Sequence, residues 1–141
     1  MRLSRISVVS LACLSFLQVG ETVAYSSGQR AMPKSFPAGV WSGPHARMEV
    51  SAAGAEIEFD CGTGKVSGPL LLHTDGRFRA KGTYAMEMPG PTRVDDIAAN
   101  ATYTGILRGN RLRLDVTISG QKEPMSFDLL RGQHGHPTRC K

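Results

Sequence analysis

The chain is sparing with the residues that most often carry chemistry or cross-linking: among 141 residues there are one tryptophan, three cysteines and four histidines. No Gly-x-Ser-x-Gly elbow, His-Glu-x-x-His pair or phosphate-cradling glycine loop is present, so no motif points to a serine hydrolase, a zinc peptidase or a nucleotide site. After Val19 no apolar run approaches the roughly 20 residues that a membrane-spanning helix needs. No segment repeats. Helical periodicity is also lacking, and the nearest approach to it is a turn around Val94–Ala99.

What is present begins at the N-terminus. Arg2 and Arg5 precede the apolar run Ile6–Val19, and Thr22-Val23-Ala24 supplies a small-residue cleavage site. Residues 1–24 are therefore expected to be a signal peptide, removed after Ala24, which makes the mature protein secreted or periplasmic. Cys13 leaves with it. Losing Arg2, Arg5 and Glu21 takes the formal charge from +5 to +4. So mild a basic balance compels no nucleic-acid partner, and none is expected. Residues 25–37, rich in Ser, Gly, Pro and charge, read as a flexible leader, and 38–141 as a single domain of ordinary size. The two remaining cysteines, Cys61 and Cys140, meet in an oxidising compartment and are expected to pair.

The domain is written in short alternating segments broken by turn residues, which is the pattern of an all-β fold. Strands are expected at His45–Ser51, Ala55–Cys61, Leu70–Leu72, after Asp75-Gly76 through Met86, at Ala101–Leu107, after Arg108-Gly109-Asn110, and at Met125–Arg131. The strand after Asn110 is the clearest, with Leu112, Leu114, Val116 and Ile118 on one face and Arg111, Arg113, Asp115 and Thr117 on the other. Gly62-Thr63-Gly64 and Gly68-Pro69 read as punctuation of a connection. The tail from Gly132 is polar and irregular. Seven or eight strands in sequential hairpins predict a small antiparallel up-and-down β-barrel, with a two-layer sandwich as the alternative.

Gly39-Val40-Trp41 resembles the Gly-x-Trp opening of lipocalins, in which an arginine near the end of the last strand covers the indole. That resemblance implies a structural plug made of Trp41 and Arg131. A wider set of segments is similar to bacterial secreted small β-domain proteins of uncharacterised activity. It comprises Gly39 to His45, Glu58-Phe59-Asp60-Cys61, Pro69-Leu70, Asp75-Gly76-Arg77-Phe78 and Gly82-Thr83-Tyr84. The likeness implies export and fold, and brings no activity.

His134 and His136 share a face in an extended chain, yet no neighbouring residue supplies a third ligand, so no metal or other cofactor is expected. Asp95 and Asp96, with Glu87, are the carboxylates a loop-based hydrolase would use, although adjacent aspartates point apart. The outward rows Arg77, Arg79, Lys81 and Arg111, Arg113 are expected to pair internally with the acidic row Glu56, Glu58, Asp60. The function expected is non-catalytic: an exported module, inhibitor-like in one form, that binds an exported or envelope macromolecule. A carrier of a small apolar ligand is the alternative. The contact surface is assigned to the long connection Met86–Asn100, with Met86, Glu87, Met88, Arg93, Asp95 and Asp96 as the candidate binding loop.

Overall fold

The computed structural model describes residues 31–88, 90 and 98–140. The expected signal peptide, Arg93, Asp95 and Asp96 lie outside the described residues. Within them run ten strands: β1 (Lys34–Ser35), β2 (Gly39–Ser42), β3 (Ala46–Ser51), β4 (Gly54–Phe59), β5 (Gly62–Ser67), β6 (Leu71–Leu72), β7 (Arg77–Met86), β8 (Ala99–Arg108), β9 (Arg111–Ile118) and β10 (Met125–Arg131). Eight close into an antiparallel barrel in the order β10-β2-β3-β4-β5-β7-β8-β9, while β1 and β6 form a separate pair. The architecture is the up-and-down barrel, not the sandwich.

Alternation dictates the wall. Leu112, Leu114 and Val116 of β9 are fully buried, while Arg111 and Arg113, which alternate with them, are exposed. Period-two patterning of this kind, clearest on β3, β5 and β9, gives an apolar lumen and a charged outer face, the reverse of a lipid-facing barrel. Met48, Ile57, Leu114 and Val116 fill the middle. One end is plugged by Phe36, packed edge-on against Trp41 and Phe78 with both ring centroids 5.4 Å away. Toward the other end Phe59 lies 5.6 Å from Tyr84 and 5.0 Å from Phe127.

Three elements differ from the sequence reading. Gly39–Ser42 is itself a wall strand, so Trp41 lies within the sheet and not ahead of it. The leader does not stay irregular to Pro37: Lys34–Ser35 pairs with Leu71–Leu72, Phe36 donates its amide to the Leu70 carbonyl at 2.9 Å, and its ring enters the core. That small sheet caps one end of the barrel, which is why Leu70 and Leu72 are buried and Leu71 is not.

The third difference is β5, where glycines taken as punctuation are structural. A Cβ on Gly62 would stand 2.5 Å from the Tyr84 hydroxyl, and one on Gly64 would meet the Phe59 ring at 3.0 Å and run into the Tyr103 hydroxyl. The glycines leave the space that these rings occupy. Tyr103 donates its hydroxyl to the Thr83 carbonyl at 2.6 Å, and burial, with Tyr84 nearby, pushes its pKa up to about 12. It therefore stays a neutral donor inside the barrel.

Candidate functional site: the cystine-locked rim

In a meander, alternate connections share an end. The β2–β3 turn carrying His45, the β4–β5 turn carrying Asp60 and Cys61, and the exit of β7 at Glu87 and Met88 therefore meet on one rim. The C-terminal tail reaches the same place, because Gly135 passes against Gly43 and Ser42, leaving 2.6 Å between an added Cβ and the Gly43 carbonyl oxygen. Ser42 is fully buried although its neighbour Trp41 faces the lumen. The tail shields it on the outside of the wall.

Cys61 is the junction. Among the described residues it is the one non-glycine with positive φ, at 57°, a conformation that L side chains adopt at a cost of about 1–2 kcal/mol. Its amide donates to the Thr138 carbonyl at 3.1 Å, its carbonyl accepts from the Glu87 amide at 2.9 Å, and its sulfur is bonded to that of Cys140. One residue thereby joins the β4–β5 turn, the tail and the exit of β7. A disulfide of this kind is compatible with an oxidising, exported location.

Asp60 reinforces the junction. One carboxylate oxygen lies 2.6 Å from His45 Nδ1, and the other accepts the Thr138 amide at 2.6 Å. The His45 hydrogen bond first, and the Thr138 amide second, hold its pKa below the ordinary aspartate value. A depressed carboxylate pKa means that this contribution is complete above the ordinary value and disappears as pH falls through the folded-state one. Asp60→Ala should speed Thr138 amide exchange about tenfold at neutral pH, and in acid the wild type and the variant should converge to one rate at each pH. Hydrogen exchange followed by NMR reads both, and an unchanged Thr138 rate in the variant contradicts the clamp.

Of the candidate binding loop, Met86 and Met88 project from the rim at 55% and 67% exposure, and Glu87 between them is half-buried. Trp41 and Arg131 meet elsewhere: the guanidinium carbon sits 5.8 Å from the indole centroid, and Arg131 Nη2 donates to the Ala38 carbonyl at 3.0 Å. His134 and His136 are exposed along the tail, and among the described residues no three potential ligands converge on a metal-sized point.

Sequence reasoning missed the pairing of His45 with Asp60, which are 15 positions apart on different turns with no local signal joining them. It also mispaired the charges. The acidic row is satisfied by its immediate neighbours, Glu56 by Lys65 at 3.9 Å, Glu58 by Arg47 at 3.9 Å and Asp60 by His45. Because β5 stands between β4 and β7, Arg77, Arg79 and Lys81 do not meet that row.

Fold and rim together define a closed eight-stranded antiparallel barrel whose tail is locked to one end by a cystine. No family model, curated protein or solved structure matches the chain.

Proposed function

We propose that the protein is an exported, non-catalytic binding module that engages an exported or envelope macromolecule through its cystine-locked rim. The observation that carries this reading is the pair Met86 and Met88, held out into solvent on either side of Glu87, whose amide is fastened to Cys61. Methionine adapts to varied partner surfaces, and fastening the backbone beforehand lowers the entropy lost on binding. Asp60 has both oxygens committed to His45 and Thr138, which favours a clamp over a general base. The packed lumen favours a surface contact over an enclosed apolar ligand. Inhibition of an exported hydrolase is one form of the same activity, offered by fold analogy alone.

The test is affinity capture from envelope and culture-supernatant proteins, with the full exported chain and a Met86→Ser/Met88→Ser variant as baits. The wild type should retain a partner at micromolar concentration, and the variant should bind it about tenfold or more weakly, as expected for losing contact-centre side chains. No partner at that concentration, or equal affinity of the two baits, overturns the reading. An intact mass that begins at Tyr25 is the expected sign of export.

A further inference from the structure

The barrel wall is electrically two-faced. On β3, β4 and β5 the outward side chains Glu49, Glu56 and Glu58 outnumber Arg47 and Lys65. Across β7, β8 and β9 the balance reverses, with Arg77, Arg79, Lys81, Arg108, Arg111 and Arg113 facing out. The carboxylates on that side are few and local: Asp75 takes Arg77 at 3.5 Å, while Asp115 and Asp128 take Arg113 at 4.0 and 3.4 Å. Among the described residues Arg79, Lys81, Arg108 and Arg111 have no carboxylate within reach. Arg108 stands directly opposite Arg111 in the register, a like-charge pair that destabilises a sheet unless an anion lies beside it.

We propose that the outer wall of β7, β8 and β9 is a docking face for an extended anionic glycan, a polysaccharide carrying carboxylate or phosphate groups along its length. The cations do not converge on one point. Arg77, Arg79 and Lys81 follow each other at every second residue of β7, about 6.8 Å apart along a strand, a spacing that suits repeated charges on a chain and not a single ion. Between the cationic rows lie hydrogen-bonding groups. A shallow groove lined by Lys81, Asn100, Thr102, Thr117 and Ser119 runs along the wall, and a second contains Arg77, Arg79 and Thr104, with Asp115, the carboxylate near Arg113, at its side. Hydroxyl and amide groups interleaved with cations match a hydroxyl-rich polyanion.

The same wall is poorly made for other anionic partners. Every described Phe, Tyr and Trp ring is buried or half-buried, so none of them offers a platform on which nucleic-acid bases could stack. Apart from half-buried Ile106 the face offers no apolar anchor of the kind that centres a protein interface or inserts into a lipid surface.

Titration calorimetry of the full exported chain with a linear polyuronate at low salt tests the assignment, with neutral dextran as the blank. Binding is expected, weakening steeply as salt rises. Arg79→Gln/Lys81→Gln should lose about tenfold in affinity, and Lys81→Gln alone should move in the same direction. Arg47→Gln/Lys65→Gln on the opposite wall should bind as the wild type does, and so should Met86→Ser/Met88→Ser, which separates this face from the rim. The assignment is overturned by any of four outcomes. These are no binding to the polyuronate, unchanged affinity in the wall variants, an equal loss in the opposite-wall variant, or tighter binding to single-stranded DNA or anionic vesicles in competition.

Discussion

Reducing the Cys61–Cys140 bond is expected to lower the melting temperature by roughly 20 °C. The bond closes a loop whose ends are 79 positions apart, and the chain-entropy model gives about 4–5 kcal/mol for a loop of that length. A domain of this size holds only about 5–15 kcal/mol in total and loses several degrees per kcal/mol. Calorimetric melts with and without reductant, and of Cys61→Ser/Cys140→Ser, provide the measurement. A shift under about 3 °C would mean that the Asp60 and Thr138 contacts hold the tail unaided.

The second large effect is expected at the opposite end. Trp41 is fully buried, touches Phe36 edge-on and carries the Arg131 guanidinium over its ring. Trp41→Ala should cost about 3–5 kcal/mol through lost contacts and the cavity left behind. Arg131→Gln should cost only about 0.5–2 kcal/mol, the range of a cation over an indole. Urea unfolding of both variants measures the two costs. Should Trp41→Ala cost less than about 1 kcal/mol, the plug is not a keystone of the capped end.

Where one strand's own side chains decide its fate, the fold is legible in the sequence. In β9 the alternation of Leu112, Leu114, Val116 and Ile118 with polar neighbours specifies a half-buried strand, and in β10 the segment Met125–Arg131 is read to its true ends. The strand β5 is hidden because the reason for Gly62 and Gly64 lies in the rings of Tyr84 and Tyr103 on other strands. For β1 the obstacle is length: two residues carry no period, and only the partner Leu71–Leu72 makes them a strand. The exposed methionines of the rim are visible in sequence as apolar residues beside a Pro/Gly loop. The cationic wall is not. Its rows are readable strand by strand, but which row faces which carboxylate depends on neighbour order, and a single intervening strand moves the acids to a different side.

The seam that closes the barrel is also its shortest. β10 registers with β2 only through Leu130–Ser42 and Arg131–Trp41, whereas β7 and β8 register from Arg77 to Tyr84. It also joins parts of the chain far apart in sequence, Arg131 and Ala38 being 93 positions apart, so it is the pairing that closes the longest loop and forms late in folding. If it parts, β2 and β10 each present a bare edge able to accept a strand from a second molecule. The tail lies over Ser42 and Gly43 at this seam, and the cystine keeps it there. Beyond its entropic effect, the bond keeps the tail over this seam, so the reduced protein is expected to exchange strands between copies at high concentration before it loses its β-structure.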